Sequence, residues 1–385
     1  MTASAVIYLA APADLAAAQL PVAGHPVVFR AMAAAVRAGA SRVLVPAIFR
    51  DLLGPALAGA PRVARAVHWL ESTTPPPGDA ILVPATAVIG IGALVSMLTA
   101  EPPTLHEGSR IAGAPLMAAP ASLVGTLWSA LAAGASVGPA LEQALADPAL
   151  RTVREPSLVY PVRDPASAAL GERQLYATLG SAIDTRLDTV FHRRFSRLVS
   201  RAAVTLGITP NTITVASLLV GLVAAWCFWR ATPAAAALGL VVYAIAVILD
   251  HADGEVARLT LRESAIGEWL DIVADTIIHA AVVIALGVTS TALAGHGAGL
   301  GVLAALGVVA SAAVAKAWPG IAMPDRLGTA LSGLGSRDGF YGLLLGFIVA
   351  RAAWPDALPW LMIVVAAGSH AFWVGRVLYR VTRGA

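Results

Sequence analysis

Two short segments hold most of the side chains in this 385-residue chain that could do chemistry. Asp250-His-Ala-Asp253-Gly254-Glu-Val-Ala257-Arg258 is followed, eight residues later, by Gly267-Glu-Trp-Leu-Asp271-Ile-Val-Ala-Asp275. In a helix, positions 250, 253, 254 and 257 follow the i, i+3, i+4, i+7 pattern, so two Asp and two small residues share one face. Positions 267, 271 and 275 recur every fourth residue, placing a Gly and two more Asp on a second face. Hard carboxylate oxygens grouped in this way suit Mg2+ or Mn2+ held together with substrate phosphates. Gly254, Ala257 and Gly267 remove side-chain bulk where a ligand could approach. The same carboxylates could instead serve an ion-pair network with Arg258 and Arg262, or a cation pathway in a transporter.

The elements that must position these residues are apolar. Hydrophobic residues make up 58% of the chain and charged residues 13%, about half the ordinary share for a soluble domain. This composition predicts a membrane protein. Uncharged runs long enough to cross a bilayer predict spans over about 211–229, 233–252, 266–288, 298–316, 339–353 and 357–377. Arginines bracket them unevenly. Arg186, Arg193, Arg194, Arg197, Arg201, Arg258, Arg262, Lys316, Arg326, Arg337, Arg376, Arg380 and Arg383 fall on one side, against Arg230 and Arg351 on the other. The positive-inside rule then places both termini and the aspartates on the cytoplasmic side. A helix over about 185–205 interleaves its arginines with Leu187, Val190, Phe195, Leu198 and Val199, as expected of a helix lying along the membrane surface.

Residues 1–155 alternate strand-like and helix-like segments: Ala5-Val-Ile-Tyr-Leu, then Pro26 to Arg37 with Gly39 as a stop, then Arg42-Val-Leu-Val. This pattern predicts an α/β domain with a mainly parallel sheet. The uncharged stretches 80–100 and 111–141 are interrupted by Pro84, Gly90, Gly92, Pro115, Pro120 and Pro139, so they read as buried short elements rather than spans. Residues 156–184 read as a linker. Cys227 is the only cysteine and reads as a small buried hydrophobe. The net charge of +3, without a basic tract, gives no support for a nucleic-acid partner, and the N-terminus has no signal-peptide pattern.

The pattern D-x2-D-G-x2-A-R-x8-G-x3-D-x3-D resembles the signature of the CDP-alcohol phosphotransferases, and every specified position is filled. Thr209-Pro-Asn211-Thr-Ile-Thr214 is similar to that family's Pro-Asn-x-x-Thr element, and the likeness covers roughly residues 185–380. The resemblance implies displacement at the β-phosphate of a CDP-linked donor by an alcohol hydroxyl, with release of CMP, by a homodimer in phospholipid or polar-lipid headgroup synthesis. It implies that Asp250, Asp253 and Asp271 bind Mg2+ or Mn2+, and that Asp275 binds metal or takes the acceptor proton. Asn211, Thr214, Gly254, Ala257, Arg258 and Gly267 are implied to hold the cytidine diphosphate. Arg194, Arg197, Lys316, Arg326 and Arg337 could hold an acceptor phosphate, with topology and headgroup contact as their alternative use. His279 and His370 fit interhelical hydrogen bonds.

The N-terminal part resembles a nucleotidyltransferase domain in Leu9-Ala-Ala-Pro12 and Leu20-Pro-Val-Ala-Gly-His-Pro-Val-Val28, and its fusion to the membrane part resembles the bifunctional inositol-phosphate cytidylyltransferase and di-inositol-phosphate-phosphate synthase group. The loop Pro12-Ala-Asp-Leu-Ala-Ala-Ala-Gln lacks the Gly and Arg that would cradle a triphosphate. Lys316 is the only lysine of the chain, and Pro84-Ala-Thr stands where a metal-binding Asp is expected. The expected architecture is therefore a six-helix α-helical polytopic membrane domain over 185–385, in the inner (cytoplasmic) membrane. An α/β nucleotidyltransferase-like cytosolic domain without nucleotidyltransferase activity precedes it.

Overall fold

The computed structural model describes residues 4–70, 75, 78–132, 137–180, 184–318 and 336–383. It divides into two units, Met1–Leu179 with Leu259–Arg262, and Gly180–Arg258 with Glu263–Ala385.

In the first unit, side-chain alternation along the strands sets the layering. Ala5 and Ile7 enter one apolar cluster while Val6 and Tyr8 enter another, and Val43 and Val45 part from Leu44 in the same way. These two inner strands are therefore buried on both faces, as a sheet covered by helices on both sides requires. Across the seven-stranded sheet the order is Arg151–Val153, Thr104–His106, Met117–Ala119, Ala80–Pro84, Ser4–Tyr8, Arg42–Pro46 and Val67–Leu70. Neighbouring strands are parallel except at Met117–Ala119, which runs antiparallel to both of its neighbours. The helix Val27–Ala38 ends at Gly39, whose φ of 109° is a left-handed cap open to glycine. Stretches 80–100 and 111–141 hold short strands and helices, the longest being the twelve-residue Ala121–Ala132.

The stretch 156–184, expected to be a linker, contains structure that belongs to this unit. Val159–Pro161 pairs antiparallel with Ala87–Ile89. Helix Pro165–Ala177 starts at an Asp164–Ser167 capping box and buries Ala168 and Tyr176. Val162 and Ala168 join Val22, Val27 and Val88 in one cluster, and Glu172 accepts the Ala23 N–H at 2.7 Å.

In the second unit a π-helical turn, Asp188–His192, runs into α1 (Arg193–Leu206). Then follow α2 (Pro210–Trp229), α3 (Pro233–Thr260), α4 (Ala265–Ala294), α5 (Ala298–Ala317), α6 (Arg337–Ala353) and α7 (Leu358–Arg383). Among the described residues, five helices are long and apolar enough to cross a membrane: α2, α3, α4, α5 and the segment 355–382 that includes most of α7. The unit is thus a polytopic helical membrane domain. Six spans were expected; α6, with 17 residues, rises about 26 Å and is short of the roughly 30 Å hydrocarbon core. Arg351 near its end is buried and donates to the Ala231 carbonyl.

The expected span ends at 252 and 288 are also exceeded. With 28 residues, α3 is about 42 Å long, so some 12 Å of it extends beyond the hydrocarbon. Asp253 therefore sits inside a continuous helix. Small residues bring the helices together: a Cβ on Gly287 of α4 would lie 2.8 Å from the Gly301 Cα of α5, and one on Gly221 of α2 would meet Ile278 at 2.5 Å. His370 of α7 bonds the Leu303 carbonyl at 3.0 Å, the interhelical role expected of it.

Helix α1 is amphipathic with its faces reversed relative to a soluble helix. Arg193, Ser196 and Ser200 are buried, whereas Phe191, Phe195, Leu198 and Leu206 are exposed. Its apolar stripe faces outward, as at a lipid surface, and Gly207 ends it at φ 68°.

Candidate active site

The four aspartates are placed by two long helices and a third that meets them. Asp250 and Asp253 project from α3, and Asp271 and Asp275 from α4. Thr209 caps the start of α2 by accepting from the Thr212 N–H, with Pro210 as the first helical residue, where its missing donor costs nothing. One turn on, Thr214 donates to Asp253 Oδ2 at 2.5 Å. Asp253 and Thr214 are both buried. Asp250, Asp253 and Asp271 each offer one oxygen, and these oxygens lie within 4.8 Å of one another. Asp271 and Asp275 both interact with Asp250.

The donor set fits a divalent cation. With metal–oxygen distances of 2.0–2.1 Å, ligand oxygens on opposite sides of Mg2+ stand about 4.2 Å apart, so a group within 4.8 Å needs little adjustment to close. All three groups are hard oxygen ligands, and three close carboxylates repel one another unless a cation is shared between them.

The small residues sit beside this cluster. A Cβ on Gly254 would come 3.4 Å from Arg258 Nη1, so the Arg258 guanidinium folds back over the glycine. A Cβ on Gly267 would meet Asn211 Oδ1 at 3.2 Å, which brings the start of α2 against the start of α4. Ala257 is half-buried on the same side of α3. His279 lies one turn past Asp275, donates through Nδ1 to the Asp275 carbonyl of its own helix at 2.7 Å, and pairs through Nε2 with the Tyr243 hydroxyl of α3 at 3.1 Å. That is the interhelical bond expected of it.

Of the five residues considered for an acceptor phosphate, one joins the cluster. Arg337, at the start of α6, donates through Nη2 to Asp250 Oδ2. Lys316 is held elsewhere, paired with Glu268 and lying 5.2 Å from the Trp269 ring centroid. Arg194 is exposed and Arg197 half-buried, both on α1. Arg326 lies outside the described residues.

Several residues at the site are not marked by any sequence motif. His192 Nδ1 and His251 Nε2 both donate to Asp188 Oδ1, at 3.0 and 2.7 Å. The Thr185 N–H and hydroxyl donate to Asp188 Oδ2, each at 2.9 Å. Burial pushes the Asp188 carboxyl up, but its bonds to His192, His251 and Thr185 and the Arg337 charge outweigh burial and hold it well below the usual carboxylate range. Tyr341 of α6 bonds His192 Nε2 at 2.9 Å. Beside this group, Glu255 of α3 is fully buried and accepts from Arg193, Ser196 and Ser200 at 2.9, 2.8 and 2.7 Å. Arg193 also pairs through two nitrogens with Asp184, at 2.9 and 2.7 Å. The one local signal is the i, i+4 pair Asp188 and His192, with Arg193, Ser196 and Ser200 forming a polar face beside it.

In the first unit, a cavity of about 460 Å3 opens at the carboxyl ends of Ser4–Tyr8 and Ala80–Pro84. Its charged lining is Asp14, Glu142 and Arg163.

The membrane unit has similarities to known proteins. Residues 207–367 match the CDP-alcohol phosphatidyltransferase family. The bifunctional IPC transferase and DIPP synthase of Thermococcus kodakarensis is 37% identical over 87 residues, 23% of this chain and 19% of that protein. The CDP-diacylglycerol–serine O-phosphatidyltransferase of Mycobacterium leprae is 42% identical over 82 residues, 21% of this chain and 26% of that protein. The chain thus spans about a fifth to a quarter of the length of these curated relatives. The crystal structure of Mycobacterium tuberculosis phosphatidylinositol phosphate synthase, in complex with manganese and citrate, aligns with a TM-score of 0.37 at 23% identity. The alignment covers 49% of this chain and 89% of that one.

Proposed function

We propose that this chain, whose residues 207–367 match the CDP-alcohol phosphatidyltransferase family, transfers a phospho-alcohol or phosphatidyl group from a CDP-linked donor to an acceptor alcohol, with release of CMP. The observation that carries the reading is the convergence of Asp250, Asp253 and Asp271, from two helices, into one group of ligand oxygens. The names of the relatives support headgroup transfer in lipid synthesis.

In this reading Asp250, Asp253 and Asp271, with Asp275 beside them, hold Mg2+ or Mn2+. The bound cation supplies neutralising charge for the pyrophosphate and for the departing CMP. Asn211, Thr214, Gly254, Ala257, Arg258 and Gly267 hold the cytidine diphosphate against α2, α3 and α4. The acceptor oxygen bonds to the β-phosphorus as the bond from that phosphorus to the CMP oxygen breaks. Asp275 takes the hydroxyl proton as general base. Such transfer depends chiefly on positioning and fixed charge, which rigid helices supply. Of the cations considered for an anionic acceptor, Arg194 and Arg197 lie on α1, with Arg337 committed to Asp250.

The arginine bias favours a cytoplasmic-facing site; the inner membrane and α6 as a shorter sixth span belong to the same reading, and a homodimer is implied by the family resemblance alone. The first unit is read as a nucleotidyltransferase-like domain without that activity. Two carboxylates and a single Arg around its cavity are a poor match for a triphosphate, which counts against a bifunctional enzyme that makes its own donor.

The test is CMP release by the full-length protein in detergent, with CDP-diacylglycerol or CDP-inositol as donor and a panel of polyol and amino-alcohol acceptors. Release should require Mg2+ or Mn2+ and disappear in Asp253→Asn and Asp271→Asn. Undiminished release in both variants would overturn the reading.

A further inference from the structure

Arg337 touches two carboxylates that play different parts. Its Nη2 donates to Asp250, a member of the oxygen cluster, while Nη1 lies 3.7 Å from Asp188 Oδ2 and 3.3 Å from the His251 ring. The guanidinium is about three-quarters buried, at 25% exposure, and Asp188 is fully buried. A planar fork with fixed donors can satisfy both carboxylates at once but cannot turn toward one without leaving the other. At this depth solvent screens the charges little.

Asp188, His192 and His251 also place three potential ligand atoms within 4.8 Å, so a second metal site has to be weighed. Their contacts oppose it. Both His192 nitrogens are engaged, Nδ1 with Asp188 and Nε2 with Tyr341, and His251 Nε2 points at Asp188 with Arg337 against the same ring. A permanent guanidinium already supplies the positive charge that a metal would bring.

We infer that Asp188 is a positioning residue that sets the divalent-cation affinity of the Asp250, Asp253 and Asp271 cluster by holding part of the Arg337 guanidinium away from Asp250. This rests on the proposed metal-dependent reading of that cluster. The physical basis is competition. Arg337 and a divalent cation both seek Asp250, and each gain in the hold of Asp188 on Arg337 leaves Asp250 freer for the cation. His192, His251 and Thr185 fix Asp188 so that it cannot follow the arginine. Through this chain a turn that precedes α1 acts on an aspartate of α3.

The test is a double-mutant cycle on the full-length protein, read by Mn2+ binding in electron paramagnetic resonance, with no substrate present. Asp188→Asn should weaken Mn2+ binding by about tenfold, because the guanidinium no longer shared with Asp188 then competes in full for Asp250. Arg337→Gln should tighten binding. In the Arg337→Gln background, Asp188→Asn should change the affinity less than twofold, because a residue acting through Arg337 has nothing left to act on. An unchanged tenfold loss in that background overturns the inference, as does weaker binding in Arg337→Gln, which is informative even if Asp188→Asn does not fold. A second Mn2+ equivalent lost only in Asp188→Asn overturns it too, since the group would then be a metal site of its own. CMP release is measured separately. A wild-type protein that binds Mn2+ and releases no CMP sinks the transfer reading while the cycle still decides the role of Asp188.

Discussion

Two carboxylate groups lie side by side in the membrane unit, and Arg337 touches both. Asp188 is saturated: four hydrogen bonds and an ion pair converge on it from Thr185, His192, His251 and Arg337. Asp250, Asp253 and Asp271 face one another instead, with Thr214 and Arg337 as their main protein donors. A buried carboxylate with its lone pairs filled by fixed protons is structure, and its removal leaves those donors unpaired. Carboxylates turned toward each other are an arrangement the protein does not complete by itself. Burial and acidity alone would not have separated the two groups; the donor inventory does.

Substitutions can break or sharpen that contrast. The largest effect is expected in the unsaturated group, where Asp253→Asn and Asp271→Asn should each lower CMP release by about a thousandfold or more. The same variants should keep or raise thermal stability measured without added metal, because one of several repelling charges is gone. A fall in stability matching the fall in activity would erase the distinction.

Next comes Glu255→Ala in the saturated region, which leaves Arg193 Nη1 and two buried serine hydroxyls without their shared acceptor and should cost about 3 kcal/mol by thermal or denaturant unfolding in detergent. Tyr341→Phe removes one hydrogen bond from His192 and should cost about 1 kcal/mol, with Mn2+ affinity within twofold of wild type. Smallest is Lys316→Ala. Its pair with Glu268 is partly exposed, with the carboxylate partner mostly in the open, and should contribute less than about 1 kcal/mol, with CMP release unchanged.

What is legible in the sequence follows from the range of the interactions involved. The spacing of Asp250, Asp253, Asp271 and Asp275 is a local helical period, so the order of residues alone reveals the shared faces. Asp188 and His192 join His251 and Tyr341 across 63 and 149 residues, and no local pattern announces that. The 156–184 stretch has the look of a linker because its strand Val159–Pro161 is three residues long and finds its partner at Ala87–Ile89. Charged residues mark the end of a span at 252, yet α3 continues to Thr260. At 28 residues the helix is longer than a bilayer core requires, and a helix outside the core can continue through charged residues. Arg351 within a short α6 is countable as a charge, but its burial is not.

The reversed faces of α1 have one more consequence. Its polar side is clamped to α3 through Arg193, Ser196, Ser200 and Glu255, so the helix cannot rise or sink independently of the aspartates. If Phe195 and Leu198 lie at the acyl boundary, as the proposed placement has it, α1 would work as a depth gauge that registers the height of the Asp cluster against the lipid–water boundary. A substrate with acyl chains could then present its phosphates at that height without being lifted from its leaflet, and a water-soluble acceptor would arrive from the other side.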